Sequence, residues 1–225
     1  MEGIIQVAGV IDKQEASLLA GEGVKFLGFP LRLPVNAVDH TEEEALEIIS
    51  TLEKDVQAVL ITYQNNADDI IKFCDEMKCT WIQLHGDIEL DELKSLKAQR
   101  PDLTVIKSLV IGKVTTENLL REMHCLSQYV DCFITDTYDS DTGASGATGK
   151  THSWDISASI VKKSPVPVIL AGGLNPENVK EAIFKVKPAG VDVHTGIEDN
   201  TGRKSLFKVK RFIEEANAGF ALLNK

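Results

Sequence analysis

Residues 166–196 read VPVILAGGLNPENVKEAIFKVKPAGVDVHTG. The β-branched run VPVILA gives way to a glycine pair, then to the amphipathic stretch NPENVKEAIFKV, then to a second β-branched run, AGVDVHT. A strand, a helix and a strand in that order make a parallel βαβ unit, because parallel strands need a long crossover between them. Outward from this stretch the same alternation continues to both ends of the chain. Strands are expected at 4–8, 25–29, 56–62, 80–85, 103–108, 130–136, 166–171 and 189–195. Two helix starts punctuate the series. Thr41 precedes EEEALEIISTL as an N-cap with acids in the first turn, and Asn175-Pro176-Glu177 puts proline at a first helical position. Eight such units in 225 residues leave no material for a second domain, so residues 1–225 are expected to form a single (β/α)8 TIM barrel rather than an open doubly wound sheet.

Composition narrows the partners. A formal net charge of −10 argues against nucleic acid, whose phosphate backbone requires a surplus of lysine and arginine. No run reaches 18 apolar residues and no basic segment followed by an apolar one opens the chain, so neither a membrane span nor a targeting signal is expected, and the reading is cytoplasmic. Cys74, Cys79, Cys125 and Cys132 lack the spacing of a zinc site and read as reduced structural thiols. No metal and no cofactor is expected.

In a barrel the chemistry is sought at the C-terminal ends of the strands and in the loops that follow. Gly172 and Gly173 after strand seven, with Asp192, His194, Thr195 and Gly196 around the end of strand eight, mark a candidate phosphate site. Glycines there let backbone N–H groups approach an anion, and the seventh and eighth loops are where barrels commonly hold one. The stretch Gly143–Thr151 ends like a nucleotide-binding P-loop, but the first glycine of that motif falls on Ala144 and the spacing fails. A glycine-rich loop closing over a ligand, with Gly149 in contact, and a solvated connector are the two readings left. Asp136 ends the apolar run Cys132-Phe133-Ile134-Thr135, where a carboxyl can act as general acid or base, or cap the following loop. His85 ends strand four and is read either as a positioning or proton-transfer group or as a neutral hydrogen-bonded histidine.

The ordered segments QVAG (6–9), GF (28–29), WIQLHG (81–86), VIKS (105–108), ITD (134–136), GATGK (146–150), Trp154, LAGGLNPENV (170–179), GVDVHTGIE (190–198) and the GRKS that follows resemble the phosphoribosylanthranilate isomerase family of tryptophan biosynthesis. The resemblance is collinear over nearly the whole chain. It implies a cofactor-free Amadori rearrangement of an N-linked phosphoribosyl substrate, in which an aspartate opens the furanose ring and a cysteine removes the C2′ proton. Asp136 stands at the family's acid position.

Four positions depart from the family pattern. Ala8 occupies the position of the cysteine, and Gln6 that of a lysine two residues earlier. Alanine cannot take a proton, so the two-residue mechanism is broken at that point. Cys132 does not replace it, since it precedes Asp136 by four residues and sits roughly 13 Å deeper along the strand. Arg32 comes earlier in the loop after strand two than the arginine that grips the anthranilate carboxylate in the family; it is either a carboxylate clamp at the mouth or a surface residue. His194 replaces a small hydroxyl residue, and either donates to phosphate or narrows the pocket. The reading is therefore an isomerase-like protein, monomeric or homodimeric, that binds a phosphorylated small molecule and isomerises it with an altered base. The alternatives are a related enzyme on a different phosphosugar and a non-catalytic phosphometabolite-binding protein.

Overall fold

The structure, a computed structural model, describes residues 3–33, 40–137 and 153–223. The strands are β1 (Ile4–Ala8), β2 (Phe26–Pro30), β3 (Gln57–Thr62), β4 (Trp81–Leu84), β5 (Thr104–Ile111), β6 (Cys132–Thr137), β7 (Val168–Leu170) and β8 (Gly190–Val193). All neighbours run parallel, in sequence order, and β8 pairs back onto β1 to close an eight-stranded barrel. The helices alternate with them: α1 (Lys13–Gly21), α2 (Glu42–Ser50), α3 (Ala67–Met77), α4 (Leu90–Gln99), α5 (Thr116–Leu126), α6 (Trp154–Lys163), α7 (Val179–Val186) and α8 (Leu206–Leu223). The (β/α)8 expectation holds.

Strand side chains alternate between two cores, because successive residues of a strand point to opposite faces. One set, including Val7, Leu27, Leu60, Ile82, Val105, Phe133, Leu170 and Val191, packs against the helices. The other fills the barrel: Ile4, Val59, Ile106, Cys132, Ile134, Ile169 and Ala171, closed below by the Phe26–Trp81 ring pair at 5.1 Å. A Cβ at Gly190 would lie 2.7 Å from Ile4 Cβ, so β8 begins with the one residue that lets Ile4 into this layer. Cys132 belongs to the interior layer, where burial pushes its thiol up to about 12, and Cys74 and Cys79, buried at α3, reach about the same value. These are inert packing thiols.

Element boundaries shift where local and tertiary demands differ. β5 runs on to Ile111, because Leu109, Val110 and Ile111 pair with Thr135, Asp136 and Thr137 of β6. The Thr41 start is as expected, a full capping box with Glu44. The Asn175 start is not: α7 begins at Val179, and Pro176 lies in a preceding turn. That turn is closed by Asn175 Oδ1, which accepts from the N–H groups of Glu177 and Asn178, and Asn178 in turn donates to the Gly173 carbonyl at 3.0 Å. The asparagines thus fix the β7 loop before the helix begins.

The loops after β1 and β8 are joined by a buried carboxylate. Glu15 on α1 accepts from Ile11 N at 3.1 Å and from Lys204 N at 2.8 Å, and Arg203 pairs with Asp12, the N-cap of α1. Replacing Glu15 with alanine leaves one buried and one half-buried N–H group without this acceptor. Each such orphan costs about 1–3 kcal/mol, so Glu15→Ala is expected to lower unfolding stability by about 2–4 kcal/mol in urea titrations. A variant as stable as the parent would remove Glu15 from the joint.

Candidate functional site

The inward-facing rows become polar as they reach the C-terminal rim. On β1, Ile4 is followed at alternate positions by Gln6 and Ala8; on β4, Trp81 by Gln83 and then His85; on β5, Ile106 by Ser108; on β6, Cys132 and Ile134 by Asp136; on β8, Gly190 by Asp192 and then His194. The same period of two that builds the dry layer below therefore delivers these side chains to one mouth.

They form a chain of hydrogen bonds. Gln6 Nε2 donates to Asp192 Oδ1 at 3.0 Å and to Gln83 Oε1 at 2.8 Å. Gln83 then has only its Nε2 to offer His85, whose Nε2 lies 2.8 Å away and must accept. Neutral imidazole carries a single N–H, so the proton resides on Nδ1. That nitrogen stands 3.1 Å from Ser108 Oγ and 3.4 Å from Asp136 Oδ2. Tyr63 stacks on the His85 ring at 5.5 Å and fixes its plane. Burial holds His85 down at about 4, with the nearby Lys107 charge acting in the same direction, so it serves as a neutral donor.

Two carboxyl groups of the mouth, Asp136 and Asp192, shift the other way. Burial raises Asp136 to about 7 despite the hydrogen bond from Thr137 N at 2.8 Å, and the charge of Asp192 adds to the rise. Burial likewise raises Asp192 to about 7, against the Gln6 hydrogen bond and the charge of Lys204. Asp136 is thus poised to gain or lose a proton near neutral pH.

On the other side of the mouth, Gly172 and Gly173 adopt φ of +102° and +63°, a region in which a side chain is strained. Gly196 serves first in packing: a Cβ there would lie 1.9 Å from the Leu174 carbonyl oxygen, so only glycine lets the β8 loop close on the β7 loop. Thr195 opens the 3₁₀ turn Thr195–Ile197 and is exposed. The His194 ring lies against Gly9, where a Cβ would come within 2.1 Å of Nε2, and that nitrogen is 3.4 Å from Glu198 Oε1. Lys204, whose side chain is fully buried, holds the same Glu198 oxygen at 2.6 Å.

The structure thus brings His85 and Asp136 together, sets His194, Thr195, Gly196, Gly172 and Gly173 around the same rim, and places Asp192 one layer below it. Arg32 is not among them, and the carboxylate-clamp expectation for it is corrected. Its guanidinium is engaged by Glu42 at 2.8 Å through two nitrogens and by Glu76 at 2.7 Å, and it lies 4.2 Å from the centre of the Phe73 ring in the helix layer. Gly149 and the rest of its loop lie outside the described residues. Gln83, Ser108 and Tyr63 escaped the reading of the sequence. Gln83 carried a signal, as the polar residue in phase with His85 within an otherwise apolar strand; Ser108 and Tyr63 carried none that separates them from ordinary strand ends. Among the described residues no three His, Cys, Asp or Glu side chains gather as metal ligands.

Comparison with known proteins shows the family. The profile of the family described as N-(5'phosphoribosyl)anthranilate (PRA) isomerase matches residues 6–215. A Methanosarcina mazei protein named N-(5'-phosphoribosyl)anthranilate isomerase 2 is 36% identical over 181 residues, spanning 80% of this chain and 78% of its own length. The chain belongs to the phosphoribosylanthranilate isomerase family. The solved Thermotoga maritima phosphoribosylanthranilate isomerase superposes with a TM-score of 0.80 at 25% identity, covering 96% of this chain and 99% of its own. A further isomerase structure, in complex with reduced 1-(o-carboxyphenylamino)-1-deoxyribulose 5-phosphate, has the same fold, with a TM-score of 0.78 at 24% identity over 96% of this chain and 99% of its own.

In this member of the phosphoribosylanthranilate isomerase family, the raised carboxyl groups tie stability to pH. A folded-state value of about 7 against an unfolded value of 3.8 means that the folded state binds more protons between these limits, so stability falls as pH rises through that window. For one such group the loss between pH 5 and pH 8 is about 2–3 kcal/mol. Asp136→Asn should flatten the pH dependence of urea unfolding by about that amount and be more stable than the parent at pH 8. An unchanged slope would show that Asp136 is not held in its protonated form by burial.

Proposed function

We propose that this chain isomerises N-(5'-phosphoribosyl)anthranilate to its 1-deoxyribulose 5-phosphate amine, with Asp136 as the acid that opens the ribose ring. The observation that carries this reading is the Asp136 carboxyl at the tip of β6, raised to about 7 by burial and faced by the Nδ1 side of a neutral His85. A carboxyl of that strength is protonated often enough at neutral pH to donate to the ring oxygen, and ionised often enough to take a proton back. His85 keeps its orientation through Gln83 and Gln6 and acts by positioning Asp136.

The phosphate would sit between the β7 and β8 loops. Gly172 and Gly173 offer backbone N–H groups in left-handed conformations, and the loop after β8 closes on this one at Gly196, whose Cβ position would lie 1.9 Å from the Leu174 carbonyl oxygen. The names of the relatives and the phosphorylated analogue in a solved isomerase support a ligand of this class. Asp192, one layer below the rim and held by Gln6, is suited to receive a ribose hydroxyl.

The test is turnover of N-(5'-phosphoribosyl)anthranilate by the purified protein, followed by consumption of the substrate. Asp136→Asn should lower kcat by roughly 10²–10⁴-fold while the reduced product analogue binds within a few-fold of the parent. Gly173→Val should weaken binding of that analogue at least roughly tenfold, since valine is strained at the φ this position requires. Undiminished turnover by Asp136→Asn would exclude it as the acid, and a parent protein that binds the analogue without turning over the substrate would make the chain a binding protein.

A further inference from the structure

Lys107 is a buried titratable group beside the mouth that the proposed reaction does not use. It lies on β5 between the inward residues Ile106 and Ser108, so its side chain leaves the barrel on the helix side, and its register neighbours are Leu84 and Phe133 of the outer core. Only 2% of it is exposed there. Among the described residues its ammonium is in no ion pair and meets a single acceptor, the Ser108 carbonyl oxygen, at 2.8 Å. That carbonyl stands where the β4–β5 ladder stops: the last register pair of the two strands is Leu84 with Lys107, and Ser108 is the first residue of β5 beyond it. Lys107 thus supplies the donor that a longer β4 would provide. The side chain of Ser108 faces the site, with Oγ 3.1 Å from His85 Nδ1, the nitrogen that lies 3.4 Å from Asp136 Oδ2. An unbroken series therefore runs from Lys107 Nζ through Ser108 to His85 and Asp136.

Resting on the isomerase reading above, we infer that Lys107 is a positioning residue for proton transfer by Asp136, acting through Ser108 and His85 from outside the barrel wall. An ammonium is a costly cap for one carbonyl, because burying a charge without a direct counter-ion opposes folding, and a neutral donor would close the ladder as well. What the ammonium adds is a positive charge behind the β4–β5 wall. Burial is the main reason that His85 stays neutral, and the Lys107 charge acts in the same direction. Burial lowers Lys107 itself; Glu122 of α5 and Asp87 of the β4 loop favour its charge, and Lys113 opposes it. At His85 the titratable groups facing the ring among the described residues are Tyr63 from β3 and Asp136 from β6. With His85 neutral, Asp136 is faced by a dipolar N–H and keeps its proton near neutral pH. An imidazolium in that place would stabilise the carboxylate and remove the acid.

The experiment compares the parent, Lys107→Met and Ser108→Ala in turnover of N-(5'-phosphoribosyl)anthranilate, in binding of reduced 1-(o-carboxyphenylamino)-1-deoxyribulose 5-phosphate, and in the titration of His85 followed by nitrogen NMR of histidine-labelled protein. The His85 signal is assigned by its loss in His85→Asn. Methionine fills the space of Lys107 without the ammonium, and Lys107→Met is expected to lose roughly 10–10²-fold in kcat while binding the analogue within about threefold of the parent, which also shows that it is folded. Its His85 midpoint is expected to rise by at least roughly half a pH unit, since a positive charge that opposed the imidazolium is gone. Ser108→Ala keeps the capped carbonyl and loses only the hydroxyl, and is expected to lose at least roughly tenfold in kcat. Either variant with kcat within about threefold of the parent overturns the inference. So does an unmoved His85 midpoint in Lys107→Met, or a loss in turnover matched by an equal loss in analogue affinity, either of which makes Lys107 a part of the wall alone. If Lys107→Met does not fold, Ser108→Ala decides by the same thresholds. A parent protein inert toward the substrate defeats the isomerase reading, and this inference with it; an active parent with an equally active Lys107→Met defeats the inference alone.

Discussion

Closing eight parallel strands into a barrel leaves one face of every strand to fill a space that has no other source of side chains. That constraint governs the rest of this molecule. In the lower part the space is filled by Ile4, Val59, Ile106, Ile134 and Ile169, with Phe26 and Trp81 as a floor. Toward the rim the same rows carry amides, carboxyls and imidazoles, so polar groups are placed over a dry layer with little water to solvate them. The electrostatics of the mouth follow from this position. Burial is the largest influence on His85, Asp136 and Asp192 alike, and in each case it opposes the charged form.

A group of buried polar side chains is tolerable only when its members satisfy one another. Gln6 and Gln83 meet that demand with a directional chain that begins at Asp192 and ends at His85. One consequence is chemical: the chain dictates which nitrogen of His85 bears the proton, and so what faces Asp136. Among the described residues the arrangement is incomplete at Gln6 Oε1, which is buried without a hydrogen-bond partner there. Both the orphan oxygen and the two raised carboxyls are departures from maximal stability at the place where the chemistry is proposed to occur.

Around the mouth, the loops are held by charge pairs of unequal kind. Glu15, buried between α1 and the segment before α8, fixes the β1 and β8 loops relative to each other, and Glu198 with Lys204 is a desolvated pair within the β8 loop. Lys13–Glu47 and Lys25–Asp55 are exposed, and pairs of that kind contribute little in water. Arg32 lies between these cases. Its bidentate contact with Glu42, its second contact with Glu76 and the Phe73 face beneath it make it a joint between the β2 loop and the α2–α3 layer.

By itself the sequence determined the periodicities, and with them the class of fold. Strand residues alternating between two apolar cores, helices of regular spacing between them, and glycines at Gly172 and Gly173 where the backbone turns left-handed are local properties, written within a few residues of where they act. The position of Asp136 at a strand end is legible for the same reason. Which side chains meet was decided only in three dimensions. Gln6 reaches Gln83 and Asp192 because the barrel closes and brings β1 against β8 and across from β4. Arg32 turns to Glu42 and Glu76 because the packing of α2 and α3 places two acids under it, which no spacing along the β2 loop announces. The strengths of the acids belong to the same category. A carboxyl at a strand tip has its ordinary value until the surrounding strands remove its water, and that removal is a property of the closed barrel and not of any stretch of chain.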